Sequence, residues 1–288
     1  MRNLSAIVWL YRGQQSRFLA LVQEYLGTIC DESAAVQEKL AAFEATLANL
    51  QIQFANLEKG VEKHDQLAVE KKQELIDANA ELHDAYKAYE ADRASLLTML
   101  DSFRRQFASA LPETNDQQHD ARQAFDPIAD AIRGLVKQVD MIYKFTVHVG
   151  DLAGDLAGSN GKNGALDYDR RVAGRLIKQL DEQRKAAIEQ MKHVAYFHRQ
   201  VVWLQDRFPK AELQAVPGLV KLVDRAEIEA ADWSLTPGHY VGVAPPETDE
   251  DFDFEQALRD IHIELAELNQ EAAQLAEKIQ MNLDELVR

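Results

Sequence analysis

Apolar residues along this 288-residue chain recur in steps of three and four over most of its length. The longest run is Val36, Leu40, Phe43, Leu47, Leu50, Phe54, Leu57 and Val61, an unbroken heptad stripe. His64, Ala68 and Lys71 continue the register weakly, and it recovers through Leu75, Ala78, Leu82, Ala85, Tyr89, Leu96, Met99 and Phe103. A period of 3.5 keeps one face turned toward another helix along the whole stripe. Taken as one straight helix, 33–109 would be about 115 Å long, and Gly60 with the polar positions after it marks the natural break. A second stripe of the same pitch runs through Phe254, Leu258, Ile261, Leu265, Leu268, Ala272, Leu275, Ile279, Asn282 and Leu286.

The other elements follow from periodicity and punctuation. Residues 1–30 predict an amphipathic helix interrupted near Gly13, with Phe18, Leu21, Val22, Tyr25, Leu26 and Ile29 inward. Gly27 is a candidate stop, and Asp31 or Ser33 a candidate cap for the next helix. Leu111-Pro112 and the polar ETNDQQHD predict a turn, after which Asp126-Pro127 opens a helix carrying Ile128, Ile132, Leu135, Val139, Ile142 and Val149. Gly150 to Gly164 holds five glycines and reads as a flexible loop. A further helix runs from about Tyr168 to Arg207 through Val172, Leu176, Leu180, Ile188, Met191, Ala195 and Val202. Pro209 and Pro217 bracket a turn and a short helix, and 231–246 is extended or turn, not helix. The expected organisation is therefore a helical segment at 1–30, a long heptad helix at 31–110, a second helix at 111–150, and a Gly-rich loop at 151–167. A basic helix with short helices follows at 168–230, then a turn segment with an acidic linker at 231–253 and a coiled-coil helix at 254–288. The fold class is all-α and elongated, built of long antiparallel coiled-coil hairpins with one short irregular segment.

Composition agrees with that class. Thirteen Gly and seven Pro are few breakers, and 46% of the residues are apolar. The single cysteine, Cys30, excludes an intrachain disulfide and a Cys-rich metal site. The best N-terminal apolar run, Leu4 to Leu10, is far short of the roughly 20 residues a membrane span needs. It also lacks a small-residue cleavage site, so the expectation is a soluble cytoplasmic protein with no membrane partner.

Catalytic signatures are missing. No two glycines are separated by one residue, which removes Gly-x-Gly nucleotide loops, and Gly161-Lys162 is followed by Asn163 rather than Ser or Thr. His193 and His198 are the only close histidine pair, and five residues apart on a helix they diverge by about 140°. The expectation is an enzyme in no sense by itself, with no catalytic, cofactor or metal residues.

The net charge of −16 opposes general attraction to nucleic acid. Yet Arg170 to Lys210 holds ten cations and four carboxylates. That face either meets phosphate, with Arg170, Arg171, Arg175 and Lys178 as candidate DNA contacts, or neutralises acidic helices within the molecule. The aromatics of YFHRQVVWLQDRF (196–208) read as packing rather than base stacking.

Two segments together resemble a known family. RNLSAIVWLYRGQQSRFLALVQEYL (2–26) and ADWSLTPGHYVGVAPPETDEDFDFEQALRDIHIELAEL (231–268) are similar to the C-terminal part of the modification subunit of type I restriction–modification systems. AYFHRQVVWLQDRFPKAELQAVPGLVKLVDRAEIEA (195–230) fits the same region. Asp232 to Tyr240 is the most specific block, departing from the family at His239, where Arg is common. The resemblance implies the tail of an S-adenosylmethionine-dependent adenine DNA methyltransferase. Its cofactor loop and Asn-Pro-Pro-Tyr/Phe motif would lie upstream, and Pro245-Pro246, flanked by Ala244 and Glu247, is not that motif. It further implies DNA methylation through a complex, with the specificity subunit and the catalytic methyltransferase domain as partners. Leu258, Ile261, Leu265, Leu268 and Leu275 would carry the contact with the specificity subunit. The alternatives are that the same stripe packs on Val36–Val61 of this chain, or that the chain is a self-associating coiled-coil scaffold forming a homo-oligomer.

Overall fold

The computed structural model describes residues 2–62, 69–159 and 168–244, which divide into two units, Met1–Val216 and Pro217–Arg288. Seven α-helices occur among the described residues: α1 (Arg2–Tyr11), α2 (Gln15–Glu62), α3 (Val69–Phe107), α4 (Asn115–Ser159), α5 (Arg170–Arg207), α6 (Arg225–Ala230) and α7 (Gly238–Val241). No strand is found among these residues.

In the first unit α2 to α5 form an up-down-up-down four-helix bundle. Phe43 meets Tyr89 across α2 and α3, Phe103 meets Phe125 across α3 and α4, and Asp126 meets His198 across α4 and α5. Phe18 against Phe208 and Tyr25 against Phe197 then close α5 back onto α2. Each pair is antiparallel because its residue numbers rise on one helix as they fall on the other. α2 alone has 48 residues, about 72 Å. α1 doubles back onto α2 at Gly13, whose φ of 67° is open to glycine at little cost. Ala6 and Leu10 are buried there, and Asn3 bonds both Tyr25 and Gln200.

The buried residues draw four continuous stripes. On α4 they step from Gln118 through Ala121, Phe125, Ile128, Ile132, Leu135, Val139, Ile142, Thr146, Val149 and Ala153 to Leu156, alternating three and four without a fault. α4 therefore starts before, and ends after, the sequence expectation. Residues 115–126 are helical rather than a turn, and Pro127 lies inside the helix. Its missing N–H removes one backbone bond, which burial of Phe125 and Ile128 on either side offsets. Residues 150–159, expected in a flexible loop, are its last turns. Gly150 lets the Ile177 side chain approach closely: a Cβ there would lie 2.6 Å from the Ile177 Cδ1, the free end of that side chain.

α2 also runs through its expected boundary. Neither Gly27 nor Asp31 and Ser33 ends a helix, because the stripe continues Tyr25, Ile29, Ser33, Val36. Ser33 is 4% exposed, and its hydroxyl donates to the Ile29 carbonyl at 2.6 Å instead of capping. Gly27 admits the Leu111 side chain from the α3–α4 connection. The stripe over 31–110 is carried by two helices, α2 described to Glu62 and α3 from Val69, on either side of the stretch where the break after Gly60 was expected, and they meet at Phe43 and Tyr89. On α3 the steps Ala85, Tyr89, Arg93, Leu96 insert an extra four-residue spacing, a stutter. It moves the seam off Met99, which is only partly covered, and onto Leu100. On α5 the seam likewise runs one position away from most of the expected residues, through Ala173, Leu180, Ala187, Met191, Val194, His198, Val201 and Gln205. Pro209 to Val216 contains no helix.

In the second unit, the described residues form a small knot of turns. Asp224 and Glu227 make a reciprocal capping box on α6. Asp232 and Trp233 both have left-handed φ, 52° and 60°, unusual for residues with a Cβ. The Tyr240 hydroxyl donates to the Ser234 carbonyl and the Gly218 amide to the Val241 carbonyl, 2.7 Å. One helical turn, α7, sits inside the segment 231–246. The expected C-terminal helix 254–288, the acidic linker after 246 and residues 160–167 lie outside the described residues.

The stutter is directly testable. Leu100→Ala lowers the unfolding free energy by about 2–5 kcal/mol, and Met99→Ala by less than half as much. Urea titration of both variants measures this, and equal losses would return the seam to the Met99 register.

Candidate functional site: polar layers and the outward face of α5

Three polar groups interrupt the apolar bundle. In the first, the Tyr89 hydroxyl donates to Glu44 Oε1 at 2.8 Å and Arg93 pairs with the same carboxylate. Burial raises the Glu44 pKa above its ordinary value, against the opposing pull of Tyr89 and Arg93. Burial also raises the Tyr89 hydroxyl, with the Glu44 charge adding to the effect. In the second, the Arg184 guanidinium pairs with Asp140 of α4 and Asp181 of its own helix while lying 4.6 Å from the Tyr143 ring centroid. In the third, His198 Nε2 lies 2.8 Å from Asp126 Oδ1, Arg122 reaches Asp126 and Asp206, and the His198 ring packs on Phe125.

None of these arrangements supplies a nucleophile with a base beside an open cleft. Among the described residues no three His, Cys, Asp or Glu side chains converge to hold a metal ion. Cys30 is buried, and burial pushes its thiol up to about 11, so it stands as a protonated core residue. Two recesses of several hundred Å³ are shallow surface features, one beside Glu70, Glu74, Asp77 and Glu81, the other at the α3–α4 connection.

The four sequence-nominated cations all lie exposed on the first turns of α5. Arg171 and Lys178 share one column of the helix surface, and Arg175 stands beside it. Arg170 instead leans toward α4, its guanidinium 3.4 Å from where a Gly154 Cβ would be. Asp169 caps the helix by accepting from the Arg171 and Val172 amides. The expected internal neutralisation covers part of the span. Arg184 and Lys185 pair with Asp181, and Arg207 stacks on Trp203 at 4.3 Å. The aromatic run divides likewise: Phe197 and Phe208 pack inward on Tyr25 and Phe18, whereas Tyr196 is 46% exposed.

α5 also carries a regular row of cations. Arg171, Lys178, Lys185, Lys192 and Arg199 follow one another at intervals of seven, and all five are exposed. The signal was present as a period, but it acquires meaning only once α5 is known to bury the opposite side. The His198 network left no such signal, because its four members come from two helices and share no spacing. The five candidate partner-binding leucines and isoleucine, Leu258 to Leu275, lie outside the described residues.

No family model, no curated protein and no solved structure matches this chain.

Desolvation lowers the His198 pKa below its ordinary 6.5, more than the Asp126 charge raises it. The folded state therefore binds its proton later than the unfolded state. The resulting stability is complete above pH 6.5 and is lost as pH falls below that toward the folded value. Urea titrations between pH 7 and pH 5 should show a steeper loss for the native chain than for His198→Gln. Parallel loss in the two would remove His198 as the titrating group.

Proposed function

We propose that this chain is the non-catalytic C-terminal part of a type I restriction–modification DNA methyltransferase subunit, and that it assembles helix-on-helix with the specificity subunit. The observation carrying the reading is the 254–286 heptad stripe, whose period demands a partner helix along its length. Within the first unit the Val36–Val61 stripe is buried, and α2 packs on α3, α4 and α5. The Asp232–Tyr240 block supports the same reading. Its consecutive left-handed residues hold Trp233 55% exposed, and backbone held in such conformations accompanies functional segments. Methyl transfer and S-adenosylmethionine binding belong, on this reading, to the catalytic domain of the same subunit, and DNA is reached through the complex.

The rival is a self-associating scaffold, in which 254–286 pairs with its own copy. The two separate by experiment. Leu265→Asp combined with Leu268→Asp should abolish co-purification with a specificity subunit, and light scattering should find the native chain monomeric without that partner. Undiminished co-purification of the double variant would reject this interface, and a stable homo-oligomer would favour the scaffold.

A further inference from the structure

We propose that Gln118 of α4 and Gln205 of α5 hold an ordered water molecule inside the first unit, at the end of the bundle where α2 and α4 begin and α5 stops. The site involves neither 254–286 nor the outward face of α5, so it survives or fails independently of the assembly reading.

Both glutamines occupy positions that apolar residues fill elsewhere along the stripes. Gln118 heads the α4 stripe and is 0% exposed, and Gln205 lies between Val201 and Phe208 on α5 and is 1% exposed. A side-chain amide carries two donor hydrogens and one acceptor oxygen, and burying it without partners is costly. Gln118 meets part of that demand. Its Nε2 donates to the Leu19 carbonyl of α2 at 2.8 Å and to the Pro112 carbonyl at 3.2 Å. Both hydrogens are thereby used and the amide is fixed in orientation. Its Oε1 is left buried with no donor among the described residues. On Gln205 neither Oε1 nor Nε2 has a partner among them.

The two side chains belong to one level of the bundle. His198 lies opposite Asp126, and Arg122 opposite Asp206. Because α4 and α5 are antiparallel, Gln205 falls opposite the turn from Gln118 to Arg122, a stretch of about 6 Å. The two amides do not bond each other directly. Such a gap between a fixed acceptor and a free donor is the place of a bridging water. Water fits by its chemistry, being neutral, small enough for an enclosed position, and both donor and acceptor. A cation would meet the Gln205 hydrogens, and an anion the Gln118 oxygen. The water oxygen accepts from Gln205 Nε2, and one water hydrogen is donated to Gln118 Oε1. The bridge completes a tie among four segments: α2 through Leu19, the α3–α4 connection through Pro112, α4 through Gln118 and α5 through Gln205. The surface recess lined by Pro112 and Gln117 lies beside this level and offers a route for exchange with solvent.

A high-resolution crystal structure of the full chain tests this without any substitution. Density for a water about 2.5–3.2 Å from both Gln118 Oε1 and Gln205 Nε2 is the expected result. Gln205→Met keeps the length of the side chain and removes its hydrogen-bonding groups. Urea titration should find its folding equilibrium constant roughly fivefold to a hundredfold lower than that of the native chain, because Gln118 Oε1 then loses the bridge. Circular dichroism confirms that the variant keeps its helices. A direct Gln118–Gln205 hydrogen bond in the crystal, no density between the two amides, or a folded Gln205→Met variant as stable as the native chain or more so would each overturn the proposal.

Discussion

Everything in the first unit rests on four heptad stripes covering one another. No single helix here is stable by propensity alone, since each exposes a continuous apolar face to be buried. Antiparallel closure of α2, α3, α4 and α5 into a ring does this without any partner. The strength of mutual burial explains which local signals were overruled. Pro127 sits within α4, Ser33 within α2 and three glycines within the last turns of α4. Each disfavours helix locally, yet each lies on or beside a stripe whose burial outweighs the loss.

The interior polar groups divide the bundle into distinguishable levels. The Asp126–His198 pair lies 14 residues from the Asp140–Arg184 pair along both α4 and α5, while the Glu44–Tyr89–Arg93 group sits near the level of Asp140, since Asp92 bonds Gln138. A slip of one heptad between α4 and α5 would separate Arg184 from Asp140 and His198 from Asp126. Their chemistry is thus one of register. Burial lowers the His198 pKa, which makes this level the acid-sensitive one.

The same bundle sorts charge by face. Heptad geometry assigns every seventh residue to one column, so five cations scattered over 171–199 become one line on α5, while Glu70, Asp77 and Asp84 with Glu74 and Glu81 fill two adjacent columns on α3. A chain of net charge −16 can in this way present a local cationic surface. In the second unit, residues 217–244 are held by short-range bonds, a capping box, carbonyl acceptors and two left-handed residues.

Hydrophobic periodicity alone established that the chain is helical, that its helices are long, and that each needs a neighbour. A 3.5-residue repeat is a local property, and Val36 to Val61 or Ile128 to Val149 carried it openly. Which stripes meet was not legible, because every stripe has the same pitch and is complementary to all the others. Helix ends were also decided by packing: α4 continues through Gly150 and α2 through Gly27 because their buried stripes continue on both sides, through Val149 and Ala153 and through Leu26 and Ile29. The Leu100 register on α3, the Asp126–His198 pair and the cationic column on α5 depend on which side of each helix faces inward. Side-chain direction follows from tertiary burial, and only the folded bundle supplies it.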